Sequence, residues 1–212
     1  MTFLKLIQIK FSPSDTLKKL ELSLTEEQQL HGKSLWNNKT LQKSVLDDIK
    51  EFKKLLKEEL LKSQNYYCCY CHLPFHMITE QSGKHIEREH IFSKKTYKDY
   101  SFTLFNLALC CNICNGPGYK HVKNVCIQID EVDFHKSQSK IIHPHFDKTQ
   151  EHLKLNQDLT ISHLTSKGDK NCKYFKLNDP RKLDIRSIMR QKDKLPPSEQ
   201  KKYEEIISFQ RT

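Results

Sequence analysis

The sequence predicts an α+β protein with three regions. Residues 1–64 form a helical N-terminal region, 65–126 a metal-stapled core containing a β-hairpin and a helix, and 127–212 a mixed α/β extension packed on that core. Three observations predict it. Apolar residues recur at helical spacing through 40–62, seven of the eight cysteines fall between residues 68 and 126, and beyond them short alternating runs mix with helical ones.

The chain starts extended over residues 3–11, and Ser12-Pro13-Ser14-Asp15 then supplies side-chain oxygens that can cap the first amides of a helix. A second helix is expected to open near Ser23, where Thr25 and Glu26 precede Glu27. The strongest helical signal lies in 40–62, where Val45, Ile49, Phe52, Leu56 and Leu60 make one stripe. The charged residues opposite, Asp47, Asp48, Lys50, Lys53, Lys54 and Lys57, read as a solvated face. After the cysteine-rich stretch, 136–145 looks irregular, 159–164 and 174–177 alternate like short strands, and 183–191 reads as a helix. A last helix is expected from Pro197, because proline suits a first helical turn.

Composition narrows the class. With 36% apolar residues, 11 Phe and 8 Tyr, the 212-residue chain can bury a modest core, and five Gly and seven Pro exclude collagen-like or linker architectures. A long stretch free of Asp, Glu, Lys and Arg, residues 101–119, carries Asn106, Asn112, Asn115 and Pro117, which a bilayer would penalise. Lys5 and Lys10 interrupt the N-terminus before any signal-peptide length is reached, so a cytoplasmic location is expected, where thiols stay reduced. The net charge of +10 is spread along the chain and suggests a polyanionic partner without placing its binding face.

Cys68-x-x-Cys71 and Cys111-x-x-Cys114 have the spacing at which a tight turn points two thiolates at one ion, and two such knuckles complete a tetrahedral zinc site. Cys69 and Cys110 adjoin the knuckles, but only the pairs 68/71 and 111/114 give this spacing in both halves. A cysteine-only site has no open coordination position, so its zinc is expected to be structural. Cys126 and Cys172 read as plain buried thiols. His72, His76 and His85 read as surface or loop residues.

Between the knuckles lie Ile86-Glu87-Arg88-Glu89-His90-Ile91, then Phe105-Asn106-Leu107-Ala108-Leu109, then Cys111-Asn112-Ile113-Cys114-Asn115. Residues 66–120 resemble the HNH endonuclease family, with its ββα-metal motif, in Cys68-x-x-Cys71, Glu89-His90, Asn106-Leu107 and Cys111-x-x-Cys114-Asn115, in that order. The resemblance implies phosphodiester hydrolysis. A neutral imidazole can deprotonate water near neutral pH, and carboxylate and amide oxygens suit a catalytic Mg²⁺ or Mn²⁺. It makes His90 the general base, Glu89 and Asn115 ligands of the catalytic metal, and Asn106 the residue that fixes the loop presenting His90. Adjacent strand residues face opposite ways, so Glu89 and His90 share a site only at a strand irregularity or edge. Glu87 remains an alternative ligand, and a helix cap an alternative role for Asn115.

The sequence departs from the family where Glu89 stands for a frequent Asp, and where Gly116-Pro117-Gly118 should shorten the helix and displace the usual lysine to Lys120. His121 is then a reserve ligand.

A looser likeness extends over residues 40–190. The stretch Ile142-His143-Pro144-His145-Phe146-Asp147, with His152, Lys167-Gly168, Leu177-Asn178 and the helical preface, is similar to HNH subunits of bacterial antiphage systems of the Septu type, some of them associated with retrons. It implies nucleic acid as target, DNA ahead of RNA or tRNA, and an ATPase partner docking on the N-terminal helices. The rival is a zinc-stapled nucleic-acid-binding or adaptor module without turnover.

Overall fold

A computed structural model of the chain describes residues 4–31, 34–78, 86–116 and 124–202. His85, Pro117, Gly118, Lys120 and His121 lie outside the described residues, so the reserve-ligand and displaced-lysine readings do too. The architecture is mixed α+β, with three small antiparallel two-stranded sheets.

Residues 5–14 take no regular secondary structure, and they bury Ile7 and Ile9. Helix α1 (Asp15–His31) begins where Ser14 Oγ accepts the Leu17 amide at 3.2 Å. It runs unbroken through Ser23, so the separate second helix expected there does not exist. Leu17, Leu24 and Gln28 share its buried face across that point, and continuous burial outweighs the local capping signal. Helix α2 (Lys43–Ser63) buries Ile49, Phe52, Leu56 and Leu60 within the chain. Its Glu59 accepts bonds from the Ser14 amide and hydroxyl, tying the two helices together.

Asn65 and Tyr66 then take left-handed conformations, φ 50° and 63°, that turn the chain into the first knuckle and the short helix α3 (Phe75–Ile78). Strands β1 (Ile86–His90) and β2 (Leu107–Cys111) pair in unbroken register from Ile86 with Cys111 to His90 with Leu107. The single-turn helix α4 (Asn112–Asn115) follows β2 directly.

Beyond lie β3 (Cys126–Gln128) paired with β4 (Gln138–Ser139), then α5 (Thr149–His152), β5 (Leu153–Leu155) paired with β6 (Ile161–His163), α6 (Ser166–Tyr174) and α7 (Pro180–Asp193). Residues 197–202 are helical, as the Pro197 signal predicts. Thr165 caps α6 and Asp179 caps α7, with Pro180 in the first turn. Gly168 lets α6 approach α5, since a Cβ there would lie 2.1 Å from the His152 carbonyl oxygen.

The strand expected over 174–177 is instead the end of α6 and a turn in which Lys176 is left-handed, φ 43°. Its alternation arises because Phe175 and Leu177 both anchor that turn in the core. There Arg186 of α7 donates to the carbonyls of Leu159 (3.2 Å) and Leu177 (2.6 Å), which accounts for a guanidinium that is 1% exposed.

One core draws on all three regions, from Ile7 through the hairpin to Met189. Glu21 of α1 accepts the Leu104 amide at 2.8 Å, and Thr149 Oγ1 donates to the Ile7 carbonyl at 3.0 Å. The N-terminal helices are therefore built into the molecule, and the α2 stripe is not left for a partner. Among the described residues no helix is long and apolar enough to cross a membrane.

Candidate metal centre and active site

The sulfur atoms of Cys68, Cys71, Cys111 and Cys114 all lie within 4.8 Å of one another, and each cysteine is fully buried. Tetrahedral zinc with Zn–S bonds of about 2.3 Å needs sulfurs about 3.8 Å apart, and Cys71 and Cys111 stand at 4.0 Å. This four-thiol set can hold one zinc ion, and it settles the ligand choice against Cys69 and Cys110. The first knuckle closes through Cys68 N–H to Leu73 O (2.9 Å) and His72 N–H to Cys68 O (3.1 Å), with His72 left-handed. Cys69 N–H donates to Leu109 O, locking the knuckle to β2. Gln64, wholly buried at the end of α2, donates to the carbonyls of Tyr67 and Leu109 and accepts the Leu109 amide, each at 2.8 Å. It fixes α2, knuckle and hairpin in one frame.

His90 closes β1 and is 6% exposed. Its Nε2 stands 3.0 Å from the Ser101 carbonyl oxygen. A carbonyl only accepts, so Nε2 carries the hydrogen and Nδ1 is the basic nitrogen of the neutral ring. The Trp36 indole meets the imidazole edge-on at 4.5 Å and packs on Phe52 and Phe102. Asn106, fully buried, accepts the Phe92 amide at 2.7 Å and donates to the carbonyls of Phe92 (3.1 Å) and Tyr100 (3.0 Å). It thereby pins both ends of the connection that leaves β1 just after His90.

Glu89 pairs with Ala108 and His90 with Leu107 in a regular ladder, so their side chains leave opposite faces of the hairpin. On its face, Glu89 is 5% exposed and accepts the Tyr70 hydroxyl at 3.2 Å, while Tyr70 stacks on Phe175 at 4.0 Å. Burial and the neighbouring Glu89 charge push the Tyr70 phenol well above its usual range, keeping it a donor. Glu87 is half-buried on the Glu89 face, and Asn115 is half-buried at the end of α4. The structure thus brings the four cysteines together and staples the His90 loop, but does not put Glu89 and His90 on one face. Among the described residues the four-thiol set is the only group of three or more His, Cys, Asp or Glu side chains placed to share one metal ion.

Several expectations need correction. His72 is not a surface residue: it is 4% exposed, among the described residues neither ring nitrogen has a hydrogen-bond partner, and burial lowers its pKa to about 4. Cys172 is half-buried, whereas Cys126 is buried as expected. Lys53 and Lys57 are half-buried against β1, not solvated, because the hairpin covers that flank of α2.

His145 Nε2 donates to the Leu107 carbonyl at 2.8 Å, bracing β2 opposite His90, and His143 stacks on Phe146 at 4.0 Å. Burial lowers both histidines, His145 to about 4. A folded value below the unfolded one of about 6.5 means the unfolded chain binds more protons, so stability is lost as pH falls from about 6.5 toward 4. We expect the urea midpoint with zinc in excess to drop across that window, His145 alone contributing on the order of 3 kcal/mol. A shallower fall in His145→Gln, whose amide can still donate to Leu107, separates this from zinc release; an unchanged fall refutes the assignment.

Compared with known proteins, the chain matches no family model, no curated protein and no solved structure. What the site does is therefore argued from its residues. Sequence reasoning missed Trp36, Gln64, Tyr70 and the burial of Lys53. Of these only Trp36, the single tryptophan, carried any signal in the sequence.

Proposed function

We propose that this chain is a metal-dependent endonuclease of the HNH type that hydrolyses phosphodiester bonds in nucleic acid, DNA ahead of RNA. We further propose that it serves as the effector of a bacterial antiphage defence system with an ATPase partner. The observation that carries the nuclease reading is His90 on a hairpin braced by Asn106 and a four-cysteine centre, with Nε2 committed to Ser101 and Nδ1 as its basic nitrogen. The defence role rests on the sequence resemblance.

In this reading Nδ1 of His90 takes the proton of the attacking water, and the Ser101 carbonyl steadies the imidazolium through Nε2–H. Trp36 and Asn106 hold the ring and its loop in position. Glu89 and Asn115 would hold Mg²⁺ or Mn²⁺, which when bound stabilises negative charge developing on the phosphate and leaving oxygen.

A second reading, a zinc-stapled binding module without turnover, is favoured by one observation: Glu89 and His90 leave opposite faces of β1. Plasmid nicking in Mg²⁺ separates the two. Wild-type protein should nick, and His90→Ala should nick about 100- to 10,000-fold more slowly with zinc content unchanged. Nicking that survives in His90→Ala removes the assigned base, and a wild type that binds without nicking in Mg²⁺ or Mn²⁺ establishes the module.

A further inference from the structure

Four cations converge beside His90 from three segments, α2, β1 and the turn that follows β1. Lys53 Nζ lies 4.6 Å and Lys94 Nζ 5.6 Å from the centre of the Trp36 ring, the ring that abuts His90 at 4.5 Å. Arg88, on the same face of β1 as His90, donates Nε–H to the Lys53 carbonyl at 2.8 Å. One turn along α2 from Lys53, Lys57 lies within electrostatic reach of Arg88.

All four side chains are half-buried; Glu87 lies within electrostatic reach of Lys57, Arg88 and Lys94, and Glu89 of Lys94, but among the described residues none of the four is ion-paired with a carboxylate. Surface lysines elsewhere in the chain do find carboxylates, as Lys148 does with Glu151 and Lys173 with Asp169. Gathering four cations at a partly desolvated surface is unfavourable for the free protein. Burial, with Arg88 and Lys94 adding to it, lowers Lys53 to about 8. An anion spanning the cluster relieves the repulsion, and the cluster's four charges, held from three segments, suit a repeating anion more than a single one.

We propose that Lys53, Lys57, Arg88 and Lys94 form a clamp for the phosphate backbone of a nucleic acid strand, holding successive phosphates beside His90. The proposal rests on the nuclease reading for its placement and deepens it by naming the residues that grip the strand. The Trp36 ring, 5% exposed, is too buried to stack on a base and acts as the seat that positions two of the ammonium groups. Such contacts carry no base identity, so the clamp sets register and affinity and leaves sequence preference to other residues.

The test measures binding of the full-length protein without divalent cations, by fluorescence anisotropy over a series of salt concentrations, to a 20-bp DNA duplex and to a 20-nucleotide single-stranded RNA. Each lost phosphate contact lowers the slope of log K against log salt by about 0.9 on duplex DNA and about 0.7 on a single strand. Lys57→Gln/Lys94→Gln should therefore lower the duplex slope by about 1.8, and Lys57→Gln/Lys148→Gln by about 0.9. A control pair of equal charge change, Lys148→Gln/Lys173→Gln in the C-terminal extension, should leave it unchanged. Lys57→Gln alone serves if the double variant loses its zinc or its fold, and Lys57→Arg/Lys94→Arg should restore the wild-type slope.

Loss on both nucleic acids identifies the shared backbone as ligand, and loss on one names that strand. Loss on neither, or an equal loss in the control pair, overturns the clamp. His90-dependent cleavage with a wild-type slope in the lysine variant discards the clamp and keeps the nuclease. The reduced slope with a wild type that never cleaves discards the nuclease and keeps the clamp.

Discussion

Removing the metal with a strong chelator, or substituting Cys114→Ser, is expected to unfold residues 65–116 and expose the hairpin. The four sulfurs are wholly buried and come from two segments far apart in sequence. Without an ion, four thiols must share one small space: burial holds Cys71 protonated, hydrogen bonds with the neighbouring thiols do the same for Cys114, and against the opposing effect of burial hydrogen bonds from the other thiols hold Cys68 well below its usual range. An ion that replaces those protons supplies folding free energy on the order of 10 kcal/mol at such sites. Elemental analysis should find one zinc per chain, and metal loss should shift the emission of the buried Trp36 to the red. Cys69→Ser and Cys110→Ser should retain the ion. Thermal stability that persists in demonstrably metal-free protein would refute the centre.

Trp36→Ala is expected to cost about 3–5 kcal/mol, the range for emptying a buried aromatic site, and, on the proposed nuclease reading, to slow cleavage along with it. The indole touches Phe52 of α2, Phe102 in the connection between β1 and β2, and His90 of β1, so its removal opens a void where these segments meet. It also unseats Lys53 and Lys94. Trp36→Phe should recover most of the stability, since a smaller ring still fills much of the space. Chemical denaturation followed by circular dichroism measures the cost, and a wild-type midpoint in Trp36→Ala would show that the ring is not part of the core.

The legible parts of the molecule were those fixed by short-range pattern. The paired knuckles named their own four sulfurs, and the stripe of Ile49, Phe52, Leu56 and Leu60 named the buried face of α2. Residues whose place depends on a distant neighbour were not legible. Helical periodicity shows which face of α2 seeks apolar company, but not that β1 covers the flank carrying Lys53 and Lys57. Phe175 and Leu177 alternate like a strand because both anchor a turn, and Ser23 looks like a helix start although Leu24 and Gln28 carry α1 through it. The adjacency of Glu89 and His90 was plain in the sequence, whereas their opposite orientations needed the register of β1 on β2. Gln64, which joins α2, knuckle and hairpin, sits in no motif.

The separation of the two knuckles also bears on how the protein is made. Cys71 leaves the ribosome 43 residues before Cys114, a delay of about two to nine seconds at about 5–20 residues per second. During that interval the nascent chain displays a two-thiol half-site, while the partners that Gln64 and Trp36 require downstream have yet to be synthesised. Metal capture therefore comes as a late step that closes a loop already translated. A growing chain starved of zinc stalls with β1 unpaired, exposing an open strand edge to whatever binds such edges in the cell.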